Sequence, residues 1–244
     1  KVYWSTITVQ EAEAAEGDWF EPLAAARTDE EVPDAWGGYM DAGDYDRVYN
    51  HMWASYLHLE LLEMFPDFFG GLKLAIPGEE ATNAIPDILD EALWNIDFYR
   101  RLQRKDGGVT GGVESSSHPR HGEPSWLDSL VTMAYAPDPM ASFTLAACGA
   151  KTARLLEKYD AARAALFAES ARRAWDWAER EKGAFIARLG GGAANGVAHV
   201  RALAAVELLW LTANDAYAEA FKESSVLNGV QEGGTTDQAA ALFT

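Results

Sequence analysis

Between Ile85 and Leu102 the apolar residues Ile85, Ile88, Leu89, Ala92, Leu93, Ile96, Tyr99 and Leu102 recur at helical spacing and form one face over about five turns. Pro86 falls where the first turn begins, a position at which its missing N–H costs nothing, and Thr82 or Asn83 is placed to cap the exposed donors. The helix must stop before Lys105-Asp106-Gly107-Gly108. Upstream, Met52, Trp53, Tyr56, Leu59 and Leu62 lay a second stripe along Tyr49 to Met64, which Phe65-Pro66 ends.

Downstream of a Gly-, Ser-, Pro- and His-rich stretch that runs to Pro139, helical texture dominates. Met140 to Tyr159, Ala161 to Glu181, Ala193 to Thr212 and Ala216 to Ser224 are rich in alanine and leucine and poor in strand-forming runs. Links as short as Asp160 and Asn214-Asp215 favour antiparallel neighbours, the pattern of helical hairpins. The expected class is therefore all-α. Thr235 to Phe243 reads as one further helix beginning, and Gly190-Gly191-Gly192 as a flexible hairpin link. The long polar stretch before Pro139 suits a cleft lining better than a plain connection.

With 244 residues, 48% of them hydrophobic, the chain can bury a sizeable core. Its formal net charge of -18 disfavours nucleic acid and anionic membranes as partners, whereas a neutral glycan meets no such penalty. No apolar run is long enough for a membrane span. Cys148, the only cysteine, lies among small residues and reads as a buried, quiet thiol.

The segment Gly37-Gly38-Tyr39-Met40-Asp41-Ala42-Gly43-Asp44-Tyr45 is the strongest candidate for chemistry. Two carboxylates three residues apart, with small residues between them, can bend toward one water and activate it when one accepts its proton. The same residues also suit a structural turn in which the aspartates cap backbone N–H groups, or a cation site. Asp41, Asp44 and Asp46 fall short of a complete calcium loop, having no closing glutamate. Trp36, Tyr39, Tyr45 and Tyr49 offer flat faces for sugar rings.

The run Trp36 to Tyr49 resembles the Gly-Gly-x-x-Asp-Ala-Gly-Asp-Tyr signature of glycoside hydrolase family 9. The resemblance continues through Ile85-Pro86-Asp87-Ile88-Leu89-Asp90-Glu91-Ala92, Leu102-Gln103 with Asp106-Gly107-Gly108-Val109, and Pro137-Asp138-Pro139. It implies part of an (α/α)6 barrel over residues 36–244, preceded by a lead-in at 1–35, and inverting cleavage of β-1,4-glucan or a related β-glycoside. It assigns Asp44 as general base and Asp41 as the second carboxylate on the water side. Members of the family that use the loop at the cleft extend the assignment of sugar contacts to His118, Arg120, His121 and Trp126, beside Trp36 and Tyr45.

Inversion requires acid and base carboxyls about 6.5–9.5 Å apart, so Asp41 and Asp44 are not themselves that pair. The resemblance expects the acid in a later Asn-Glu segment and a His-His-Arg substrate motif. Neither is in the sequence, so a complementary C-terminal half is expected on a longer chain or on a partner. Glu114, Glu123 and Asp128 read as ordinary solvated loop acids, and Asp90-Glu91 as exposed or paired with a base. No cofactor is implied as required, no metal ligands are assigned, and a structural calcium is compatible with the resemblance. Partners are β-linked polysaccharides or oligosaccharides. A secreted or periplasmic setting is favoured, with a cytoplasmic one compatible. A binding-only carbohydrate module and a helical scaffold are the competing functional classes.

Overall fold

The computed structural model describes residues 1–15, 20–76, 82–225 and residues 239, 240 and 242. The expected helical hairpins are present. α1 (Val9–Glu13) and α2 (Phe20–Ala25) are short, α3 spans Val48–Met64, α4 Pro66–Phe69 and α5 Asp87–Arg101. α6 (Pro139–Leu156), α7 (Ala161–Leu189), α8 (Gly191–Thr212) and α9 (Asp215–Ser224) follow. α6 sits at the centre, buried along most of its length and packed against α3, α5, α7 and α8. Its small residues, Ala141 to Ala153, let those neighbours approach closely. Asp138, Asp160 and Asn214 cap α6, α7 and α9 by accepting N–H groups of Ala141, Arg163 and Ala216.

Two boundaries differ from the sequence reading. α7 runs on to Leu189, past Gly183, because buried Phe185 continues its apolar stripe, and only Gly190 separates it from α8. α5 has no side-chain cap. Asn83 instead accepts the Ile85 N–H at 2.7 Å and donates to Asp90 at 2.8 Å. The last expected helix, Thr235 to Phe243, lies almost wholly outside the described residues.

A five-stranded sheet, in the order β2-β1-β5-β4-β3, accompanies the helices, so the chain is predominantly helical with a small sheet rather than purely α. Its strands are β1 (Val2–Ser5), β2 (Arg27–Glu31), β3 (Tyr45–Arg47), β4 (Gly112–Ser115) and β5 (Thr132–Ala134). β1 pairs parallel with β5, and the other neighbours are antiparallel. Segments this short cannot display alternation, and the Arg-Thr-Asp-Glu-Glu of β2 carries no apolar residue at all. Residues of the first 35 thus join the same sheet as β3 to β5. A second small core of Val9, Ala12, Leu23, Met133 and Tyr135 lies at this sheet, apart from the main helical core.

No described helix is long and apolar enough to cross a membrane. Cys148 is buried, and burial pushes its thiol far above the ordinary range, consistent with an inert role.

Candidate active site

The sheet positions the candidate loop. β3 pairs with β4 in the register Tyr45 to Glu114, Asp46 to Val113 and Arg47 to Gly112, and the Ser115 N–H donates to the Asp44 carbonyl at 2.8 Å. Before β3 the chain reverses through Asp41-Ala42-Gly43-Asp44. Ala42 and Gly43 both have positive φ, 50° and 83°, and the Asp44 N–H reaches the Asp41 carbonyl at 3.2 Å, the marks of a primed hairpin turn. The strain at Ala42 is one of the few departures from ordinary backbone.

Asp46, two residues beyond Asp44, anchors this hairpin from beneath. Its carboxylate accepts the Tyr39 N–H at 2.5 Å, Asn95 Nδ2 at 2.6 Å and the Tyr99 hydroxyl at 2.7 Å, with His51 Nδ1 at 3.1 Å. Gly38 is required beside it, since a Cβ there would lie 2.7 Å from Asp46 Oδ2 on backbone already at φ 84°. Burial and the adjacent Asp46 charge hold the Tyr99 hydroxyl well above the usual phenol range, so it stays a donor.

The two motif aspartates enter different surroundings. Asp41 is 57% exposed, accepts the Tyr45 hydroxyl at 2.7 Å, and lines an open cavity with Gly38, Tyr39, Met40 and His51. The Tyr45 hydrogen bond holds the Asp41 carboxyl below the usual carboxylate range. Asp44 is inaccessible: Oδ2 lies 2.6 Å from Nδ1 of His118, and Oδ1 has no hydrogen-bond partner among the described residues. The His118 side chain is 71% exposed and meets Phe20 edge-on at 5.3 Å. The Asp41 and Asp44 carboxylates make no hydrogen bond with each other, and the two residues are joined by the backbone bond of the turn.

His51 bridges the two layers, with Nδ1 on Asp46 and Nε2 3.8 Å from Asp41 Oδ2. Burial pulls its pKa down, but the facing carboxylates outweigh that and the net shift is upward. The Arg47 N–H also approaches Nδ1 at 3.2 Å, and a single nitrogen cannot both accept from it and donate to Asp46. A proton on Nδ1, in the neutral tautomer or the imidazolium, selects the Asp46 contact.

The remaining expected sugar contacts scatter. Tyr45 faces Asp41 as described. Arg120 donates to Ser129 at 3.1 Å within its own loop, His121 is exposed, and Trp126, on a single 3-10 turn, is 81% exposed. None of these three is hydrogen-bonded to Asp41 or Asp44. Trp36 lies in another cavity, beside Trp94 and under the Arg101 guanidinium at 3.8 Å.

The carboxylates read as solvated acids also move. Glu114 is buried in β4, paired with Arg47 at 2.8 Å and with the Tyr135 hydroxyl at 2.6 Å, because a strand there faces the core. Asp90 is buried rather than exposed, hydrogen-bonded to Asn83 and felt by the Arg163 and Lys73 charges. Glu123 does stay in its loop, where hydrogen bonds from Ser129 lower its carboxyl. Asp128 receives the Leu130 N–H at 2.9 Å. No cluster of His, Cys, Asp or Glu among the described residues has metal-site geometry.

Residues missed from sequence are Asp46, Asn95, Tyr99 and His51. Asp46 alone carried a signal, as a third aspartate in a run otherwise read for chemistry.

The glycosyl hydrolase family 9 profile matches residues 6–242. The chain belongs to glycosyl hydrolase family 9. Endoglucanase C of Cellulomonas fimi is 31% identical over 211 residues, covering 78% of this chain and 19% of that protein. A xyloglucan-specific endo-beta-1,4-glucanase of Bacteroides ovatus is 38% identical over 74 residues, 30% of this chain and 12% of that one. Among solved structures, a metagenome-derived family 9 endoglucanase superposes with a TM-score of 0.69 at 27% identity, over 86% of this chain and 39% of its own. A family 9 protein of Bacteroides ovatus gives 0.68 at 22% identity, covering 90% and 41%, and shows the shared fold. The chain thus spans less than a fifth of those curated relatives and about two fifths of these structures.

Proposed function

We propose that this chain supplies the water-activating side of a catalytic domain that hydrolyses β-1,4-glucan, or a related β-glycoside, with inversion. Asp44 is the general base and Asp41 the second carboxylate. The observation that carries this is Asp44 itself: a buried carboxylate in the family signature, met on one oxygen by His118 and on the other by no described residue. An acceptor so placed suits the proton of an attacking water, and Tyr45 keeps Asp41 ionised beside it. His118, between Asp44 and solvent, must yield to or line the sugar. Tyr45, Arg120, His121 and Trp126 then contribute contacts around the bound chain.

Neither Glu114 nor Glu123 suits the acid. Glu114 is committed to Arg47, and an acid needs a raised carboxyl, whereas Glu123 is lowered. Without an acid from elsewhere, the same residues would bind sugar without cleaving it. Asp44→Asn in a catalytic domain of family length should lower turnover of a soluble β-1,4-glucan by roughly 10²–10⁴-fold with substrate binding largely intact, the span expected for a lost general base. Near-normal turnover would overturn the base. Release of the retained anomer, read by proton NMR, would overturn the single-displacement mechanism.

A further inference from the structure

Apart from the Asp41 cavity, and sharing no lining residue with it, lies a cavity of about 290 Å³. Trp36 and Trp94 form its aromatic walls, 57% and 41% exposed, with ring centroids 5.9 Å apart and planes inclined at 59°. The Arg101 guanidinium covers one face of Trp36 and holds its carbonyl, and the Trp94 indole N–H donates to the Gly38 carbonyl at 3.0 Å. Both rings are therefore fixed in place before any ligand arrives. Asp90, Asp97, Arg101 and Arg163 supply the polar lining. The Arg163 guanidinium lines the cavity close enough for its charge to act on the Asp90 carboxyl, so its donors stand beside that acceptor at the site.

The formal charges of those four groups, two negative and two positive, cancel, so the cavity selects for neither anion nor cation. Two held indoles with hydrogen-bond donors and acceptors lining the same cavity suit a neutral ring that has apolar faces and a polar rim. The size sits at the lower end of ligand pockets, about 300 Å³, which is room for one or two pyranoses. From this the geometry points to a second carbohydrate site, separate from the Asp41 and Asp44 centre, that binds a neutral β-linked glucose unit against the exposed surface of the touching Trp36 and Trp94 rings. The choice of sugar rests on the glucan reading above. The site itself does not depend on any role for Asp44.

Titration of cellotetraose into the 244-residue chain, followed at the indole N–H resonances of Trp36 and Trp94 in ¹H–¹⁵N spectra, tests this. Saturable shifts at both indoles are expected, with affinity about tenfold weaker in Trp36→Ala, one hot-spot aromatic's worth. Arg163→Ala, at a half-buried position that leaves the rings in place, should weaken binding about fivefold, a typical loss for one charged hydrogen-bond donor. Asp44→Asn should bind as the parent does. Absence of saturable shifts at these indoles, parent-like affinity in both Trp36→Ala and Arg163→Ala, or tighter binding of a glucosamine oligomer than of cellotetraose would overturn the proposal. Indole shifts persisting where Asp44→Asn leaves turnover intact would sink the catalytic reading alone.

Discussion

Glu207 on α8 and Asp44 at the hairpin are both buried carboxylates, and their partners differ. Glu207 receives the Tyr56 hydroxyl at 2.6 Å and Lys151 at 3.2 Å on one oxygen, and Arg154 at 2.6 Å on the other. Lys151, itself fully buried, also reaches Glu60 and Glu63, so one charge cluster ties α3, α6 and α8 together. Asp44 receives a single donor from an exposed histidine. Full pairing returns most of the cost of burying a charge, while partial pairing leaves that cost standing. Glu207 is thus part of the scaffold, and Asp44 keeps hydrogen-bonding capacity for something that is not scaffold. Asp46 repeats the lesson within the motif, saturated by its neighbours only two residues away.

The contrast can be broken first at its strong end. Glu207→Ala should leave Lys151 and Arg154 short of their buried counter-charge and cost about 3–5 kcal/mol in urea unfolding, the loss typical of a broken buried ion pair. A cost under about 1 kcal/mol would mean that water or neighbouring groups already solvate the cluster.

Asp138 sharpens the comparison, being half-satisfied like Asp44 but committed to the fold. One oxygen caps α6 through the Ala141 N–H, and the other has no partner among the described residues. Burial raises its carboxyl from 3.8 to about 7. Because the folded state holds that proton more tightly than the unfolded chain, stability falls as pH rises from the unfolded value toward about 7 and is flat above it. Asp138→Asn preserves the cap and removes the titration. Its stability relative to the parent should rise by on the order of 4 kcal/mol between pH 4 and pH 8, read from paired denaturation curves, and a pH-independent difference would show that Asp138 stays ionised.

The helical part of this architecture was legible because its stripes are long. Ile85 to Leu102 predicts α5 almost to the residue, and only a tolerated glycine at 183 hid the last turns of α7. The sheet was not legible, since strands of three to five residues hold too few positions for alternation to stand out. The Asp41 to Asp44 turn could be read from Ala-Gly between two aspartates. Its partners could not: His118 meets Asp44 across 74 residues, and Asn95 and Tyr99 meet Asp46 across 49 and 53. The same helix that showed its apolar face in sequence concealed that two of its residues hold the hairpin.

The smallest expected effect decides whether the comparison stands. Asp44→Asn exchanges a buried carboxylate having one partner for a neutral amide of nearly the same shape, which can keep the His118 contact. Removal of a poorly paired charge offsets whatever that hydrogen bond contributes, so stability should change by no more than about 0.5 kcal/mol. A loss approaching that of Glu207→Ala would place Asp44 in the scaffold, with the hairpin depending on His118 to hold it down. Stability left intact, beside turnover lost in the assembled domain, would mark a carboxylate kept buried for chemistry at a cost the fold does not need to meet.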